Sequence, residues 1–226
     1  MNTNNNMNEE IAKNMLKTGT VNIGIVCKDG IVLAADRKIS YGGGSGVSYV
    51  GGEIKKIVEV NDKIILSMAG TASDAVRNIS ILRAELRIKE LRTKRRISVR
   101  EVAAFTSNML FQNIRTPSMI PSIAHFLLAG NDEEGTHLFD ISPDGYLKKV
   151  ETCVSSGSGM LQADPILDSE YQKGISIDEG IKLAVKCIRA STGRDPAVGL
   201  GLDVYVIKKD KIEQVLDKRF IYDLKD

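Results

Sequence analysis

Residues 18–38 read TGTVNIGIVCKDGIVLAADRK, and the fold turns on how this stretch is understood. Two runs rich in β-branched residues, VNIGIVC (21–27) and IVLAADRK (31–38), flank Lys28-Asp29-Gly30, a turn in which Gly can supply φ > 0. That is a hairpin. Its second run is almost continuously apolar, the mark of a strand covered on both faces. The Thr-Gly-Thr ahead of it sits at a seam. Residues 1–19, MNTNNNMNEEIAKNMLKTG, are polar and Asn-rich, with no apolar stretch long enough for a secretory signal. Either the threonines are ordinary strand-entry residues, or the chain is cut at the seam and one of them becomes a new N-terminus.

Moving outward, IKKIVEV (54–60) and KIILSMAG (63–70) form a second hairpin around Asn61-Asp62. The period then changes. Ala75, Ile79, Leu82 and Leu86 recur at helical spacing over residues 71–93, with Thr71 or Ser73 available as a cap. A capping-box pattern, SVRE (98–101), opens a second helix carrying Val102, Phe105, Met109 and Ile114. Strands return with IAHFLLAG, THLFDIS and YLKKVE, the last two joined through Pro143-Asp144-Gly145. SSGSGM (155–160) precedes a helix to about residue 172, and SIDE (176–179) opens another with Ile181, Ala184, Val185 and Ile188 on one face. LDVYVIKKDKIEQVLD closes the chain as a last hairpin. Helix pairs set between groups of antiparallel strands predict an α+β, four-layer αββα sandwich, two sheets face to face with helices outside. There is no repeat and no linker, so residues 20–226 are read as one domain.

Composition excludes several classes. At 226 residues a chain buries roughly 70% of its unfolded surface, enough for a real core. The net charge is +2, which favours neither nucleic acid nor membrane, and no apolar run reaches the length of a spanning helix. The basic run KELRTKRR (89–96) lacks interleaved aromatics and reads as the solvated end of a helix. Cys27, Cys153 and Cys187 are too scattered for a disulfide framework or a zinc site, and His125 and His137 read as strand residues, which points to a reducing, intracellular setting without a metal. The Gly clusters GGGSG and SGSG complete neither a dinucleotide nor a P-loop pattern, and Ser158 lacks the GxSxG setting of a serine hydrolase.

A polar set remains in the apolar framework: Thr20, Asp36, Lys56, Ser158 and Asp195. Each alone reads as a strand-end charge or hydroxyl facing water. Together with a Thr20 N-terminus they describe a nucleophile and its supports. A threonine hydroxyl is weak until a base stands beside it, and a free α-amine on the same residue, with pKa about 7.7 to 8.0, can be that base. A nearby lysine ammonium would keep the amine neutral, and an aspartate would hold the lysine.

The segments TGTVNIGIVCKDGIVLAADRK, IKKIVEVNDKIILSMAGTASDA, SSGSG and RDPAVG resemble, in order and spacing, the proteasome β-subunit family of N-terminal nucleophile hydrolases, most nearly its archaeal type. The resemblance runs from about residue 18 to 210, with one small insertion in the Gly-rich stretch 41–52. It implies that 1–19 is a propeptide and Gly19–Thr20 the processing bond. Thr20 would then be the nucleophile, Asp36 and Lys56 its supporting acid and base, and Ser158 and Asp195 the pair around its amine. Gly70 falls on the oxyanion position and Ser40 on the residue that pairs with substrate backbone. Ile39, Ile54, Val58, Met68 and Ala72 fall on the wall of the specificity pocket, which implies cleavage after apolar residues. The implied activity is threonine endopeptidase, with no cofactor, and the partners are proteasome α subunits and other β subunits in stacked seven-membered rings. Unfolded polypeptides would be the substrates, with a regulatory ATPase at the α ring and a cytoplasmic location. The chain departs from the pattern at Val198, where serine is usual, at Lys38, where arginine is common, and at Val21 and Asn22 after the nucleophile. These departures keep a silent structural ring subunit open as the alternative. A small-molecule amidase of the same hydrolase class is the more distant one.

Overall fold

The structure is a computed structural model, and it describes residues 19–42, 48–119 and 121–220. Residues 1–18 of the expected 1–19 propeptide and the middle of the Gly-rich stretch lie outside the described residues. Two five-stranded antiparallel sheets make the centre. The first has the order β10-β1-β2-β11-β12, with β1 (Asn22–Cys27), β2 (Gly30–Asp36), β10 (Cys153–Ser156), β11 (Gly201–Ile207) and β12 (Ile212–Arg219). The second runs β5-β6-β7-β8-β9, with β5 (Ile57–Asn61), β6 (Ile64–Gly70), β7 (Ala124–Asp132), β8 (Gly135–Ile141) and β9 (Leu147–Val150). A separate hairpin, β3 (Lys38–Gly42) with β4 (Ser48–Glu53), joins them.

The alternation of side chains sorts each apolar run onto two faces. In β2, Ile31, Leu33 and Ala35 meet Ile65, Leu127, Ala129 and Leu138 of the second sheet, while Val32 and Ala34 face the helices. In β7, Leu127 and Ala129 point into the space between sheets and Phe126 and Leu128 point outward. The continuous runs are thus strands with both faces covered. Helices α1 (Ala72–Thr93) and α2 (Val99–Arg115) cover the second sheet, and α3 (Met160–Glu170) and α4 (Ile177–Thr192) cover the first. This is the αββα sandwich.

Helix starts follow the sequence signals with one exception. Ser98 with Glu101, and Ser176 with Glu179, form complete capping boxes at α2 and α4. At α1 the N-cap is Thr71, but its side chain makes no capping bond, and Ser73 lies inside the helix. The basic run is spent locally, since Arg95 donates to Glu101 at 2.7 Å and Arg96 pairs with Asp62, all exposed or partly so. The three cysteines are unpaired. Burial pushes the Cys27 thiol up to about 11 and the Cys187 thiol up to about 12, as expected of small core residues.

Candidate active site

Five separate segments converge at one end of the sandwich. Thr20 lies two residues ahead of β1, Asp36 ends β2, Lys56 lies just before β5, Ser158 sits between β10 and α3, and Asp195 follows α4. Thr20, Asp36 and Lys56 are buried, at 2%, 0% and 4% exposure, so their polar atoms must find partners within the protein. They find one another. Lys56 Nζ donates to Thr20 Oγ1 at 3.0 Å, to Asp36 Oδ1 at 2.8 Å and to the Gly19 carbonyl at 2.8 Å. Thr20 Oγ1 in turn donates to that carbonyl at 2.7 Å.

On the other side, the Thr20 N–H donates to Ser158 Oγ at 3.3 Å, and Ser158 Oγ donates to Asp195 Oδ2 at 2.5 Å. The Thr20 carbonyl accepts from Gly159 N at 3.0 Å, which fixes the backbone of Thr20 itself. Asp36 is held rigidly. Besides Lys56, its carboxylate accepts from Val21 N, Lys38 N and Gly199 N, each at 3.0 Å. Four donors thus meet on one buried carboxylate. Burial pushes the Lys56 ammonium below the ordinary lysine value, and the Asp36 carboxylate opposes that push. A lysine so placed can both donate to an oxygen and give up a proton.

The remaining expected residues are placed as follows. Gly70 ends β6 with φ +93°, and a Cβ there would lie 2.5 Å from the Ile123 carbonyl, so the position accepts only glycine. Ser40 Oγ donates to the Ala197 carbonyl at 3.2 Å. Ile54, Val58 and Met68 gather in the apolar cluster beneath α1, whereas Ile39, on β3, and Ala72, at the start of α1, are half-buried outside it. Val198 is 3% exposed and packs among Val21, Ala163 and Leu202, so its side chain belongs to the core. The Thr20 N–H has Ser158 as its partner. Lys38 Nζ reaches the Pro196 carbonyl and thereby ties the Asp195 loop to β3.

Sequence reading passed over a second polar group, built on Arg37. An acid inside an apolar strand, Asp203 in GLDVYV, was the available signal for it. Among the described residues no cluster of His, Cys, Asp and Glu could hold a metal, and no helix is long and apolar enough to cross a membrane.

The sequence matches the proteasome subunit family over residues 16–207. The chain belongs to that family. Its relatives include the proteasome subunit beta of Methanocaldococcus vulcanius, 33% identical over 201 residues, covering 88% of this chain and 86% of that one. The proteasome subunit beta of Archaeoglobus fulgidus is 32% identical, covering 88% of this chain and 94% of its own. Proteasome subunit beta 1 of Thermococcus onnurineus is 34% identical over 85% of this chain and 90% of its own. Membership places the chain among the peptidases and hydrolases of the proteasome and implies assembly with other proteasome subunits.

Proposed function

We propose that this chain is a threonine endopeptidase subunit of a proteasome core, made as a precursor and cut between Gly19 and Thr20. The observation that carries the reading is the position of Lys56 Nζ, which donates at once to the Thr20 hydroxyl and to the carbonyl that hydroxyl must attack. In maturation, Thr20 Oγ gives up its proton to a base and forms a bond to the Gly19 carbonyl carbon. The negative charge that develops on the Gly19 oxygen is stabilised by Lys56. The Gly19–Thr20 C–N bond then breaks, its nitrogen takes a proton, and an ester joins Gly19 to Thr20 Oγ. Water cleaves that ester, releasing residues 1–19 as a carboxylate and leaving Thr20 with a free amine.

That amine becomes the base for peptide hydrolysis, since its ordinary pKa of about 7.7 to 8.0 suits neutral pH. It takes the Oγ proton as Oγ adds to a substrate carbonyl and returns it to the departing amine. Water then hydrolyses the acyl-enzyme. Ser158 and Asp195 hold the amine, and the Gly70 N–H would face the oxyanion, a contact whose loss typically costs roughly 2.7 to 4 kcal/mol. Ser40 would align the substrate backbone, and Ile39, Ile54, Val58, Met68 and Ala72 would favour apolar side chains before the cut. No cofactor takes part. The assembly would be two inner seven-membered β rings flanked by α rings, opened to unfolded chains by a regulatory ATPase in the cytoplasm.

One observation favours a second reading. Val198 supplies core packing where the pattern calls for a hydroxyl, so a structural subunit that never cleaves is the alternative. Intact mass after co-expression with an α partner separates the two. A wild-type chain beginning at Thr20, with Thr20→Ala uncut and only the former hydrolysing fluorogenic peptides, is the expected result. Fully assembled rings holding an uncut wild-type chain would instead make this a structural subunit.

A further inference from the structure

Lys56 does not sit on a strand. It ends a three-residue link, 54–56, between β4 and β5, a poor support for a side chain that must hold position to fractions of an ångström. What fixes the link is a buried guanidinium. Asp36 and Arg37 are consecutive, so their side chains leave the end of β2 on opposite faces. Asp36 turns to Lys56, and Arg37, 2% exposed, turns to the far side. There its Nε donates to Asp203 Oδ2 at 2.9 Å, its Nη1 to Glu53 Oε1 at 3.0 Å, and its Nη2 to both Asp203 and Asp217.

The group is closed. Asp203 also accepts from Gln214 Nε2 at 2.6 Å, Glu53 from Arg219 Nε at 3.1 Å, and Asp217 from Lys55 Nζ at 3.0 Å. Three cations meet three carboxylates, so neither the buried Arg37 nor the buried Asp203 is left uncompensated. The acids around Arg37, Asp203 first, hold its guanidinium in the charged form. Two arms run from it to the link. Glu53 precedes the link and Lys55 lies within it, next to Lys56. The Arg37 backbone adds a third tie, since its carbonyl accepts from Ile54 N at 2.9 Å and its N–H donates to the Gly199 carbonyl at 3.1 Å, in the loop that carries Asp195.

We propose that Arg37 is a positioning residue of this site: clamped by Asp203, it sets the placement of Lys56 through Glu53 and through Asp217 and Lys55. The inference rests on the reading that Lys56 serves Thr20. The charged groups that bear on Lys56 are Asp36, in contact, and Asp195, through space, with the neutral Thr20 hydroxyl between them. Neither acid belongs to the clamp, so a change in Lys56 on loosening the clamp reports position and not the loss of a direct partner.

The test uses the full chain assembled with its α partner. Lys55→Met and Asp217→Asn are the principal variants, because both side chains are about half exposed and their loss leaves Arg37 with Asp203 and Glu53. Arg37→Lys and Arg37→Met complete the set. Misplacing a catalytic group by about 1 Å can cost about a hundredfold in rate, so a loosened link should lower kcat about tenfold with KM unchanged. Arg37→Lys should keep more activity than Arg37→Met. In parallel, the Lys56 13Cε resonance, assigned by its absence in Lys56→Arg, should titrate closer to the ordinary lysine value in Asp217→Asn than in wild type. Variants that match wild type in both kcat and titration overturn the clamp. If wild type hydrolyses no peptide, the catalytic reading fails, and the titration still decides whether the clamp places Lys56. Should Arg37→Met not fold, the two surface variants carry the decision.

Discussion

At the scale of single residues, the site is a short chain of donors with Lys56 at its centre. Lys56→Ala removes a group that donates to the Thr20 hydroxyl, the Asp36 carboxylate and the Gly19 carbonyl together. Leader removal and peptide hydrolysis should both fall by about 10² to 10⁴, the usual worth of a positioned acid or base, read by intact mass and by a fluorogenic peptide assay. Full retention of either would discredit the role given to Lys56. Gly19 yields a second expectation. A Cβ on it would lie 2.0 Å from Ala197 Cβ and 2.5 Å from the Ala197 carbonyl oxygen, which is backbone and cannot step aside. Gly19→Ala should therefore displace the carbonyl that Lys56 and Thr20 Oγ1 now hold and slow leader removal at least about tenfold, by the same misplacement argument. Gly19→Ala chains cut just ahead of Thr20 by an added protease should hydrolyse peptides normally, because residue 19 is then gone. Thr20, Asp36, Lys56, Ser158 and Asp195 stood out in the sequence as a polar set within an apolar framework, and the fold brings the five together. Arg37 did not, because an arginine between an aspartate and a lysine at a strand end looks like any solvated charge until its partner Asp203, 166 residues away in sequence, is brought beside it.

At the scale of elements, local chemistry and tertiary context divide the work. The two capping boxes were visible as S-x-x-E, and each holds two backbone N–H groups that would otherwise go unpaired. Ser98→Ala should cost about 1 kcal/mol in urea unfolding of the isolated subunit. The Glu101 carboxyl of that box is held well below the ordinary range, chiefly by Arg95 and then by the Ser98 N–H. A depressed carboxyl contributes stability in full above its unfolded value, near about 4.3, and loses it as pH falls toward the folded one. The stability gap between wild type and Glu101→Gln should thus be widest at pH 7 and should narrow steadily below about pH 4. A gap that widens in acid would show that Glu101 acts otherwise. The elements missed in the sequence are those with little apolar signal of their own. Strand β10, CVSS, is four residues long and is a strand because β1 offers it an open edge, from Asn22 opposite Ser156 to Ile25 opposite Cys153. The β3–β4 hairpin is rich in Gly and leaves Tyr49 and Val50 exposed, and pairing, with the Tyr41 ring tilted against Tyr49 at 5.5 Å, makes it what periodicity could not announce.

At the scale of the whole molecule, the site straddles the two sheets. Thr20, Asp36, Ser158 and Asp195 belong to the first sheet and its connections, whereas Lys56 enters the second through β5. The 2.8 Å bond from Lys56 to Asp36 is therefore a measure of how the sheets sit on one another. That spacing is set by the layer between them, where Ile57, the residue after Lys56, packs with Leu33, Ile65, Leu127 and Tyr205. The outer layers carry no such duty, since Ile79 of α1 packs against the far face of the second sheet. Ile57→Val and Ile79→Val delete the same methylene from equally buried sites, at 2% and 4% exposure, and each should cost about 0.5 to 1.5 kcal/mol of stability. Their effect on turnover should differ. Protein interiors are close-packed and relax only in part around a lost group, so a shift beside Ile57 is passed to Lys56 one residue away. Assayed at equal folded and assembled concentration, Ile57→Val should lose several-fold in kcat while Ile79→Val keeps the wild-type value. Equal losses in the two variants would mean that turnover follows overall stability and that the layer between the sheets has no special hold on the site.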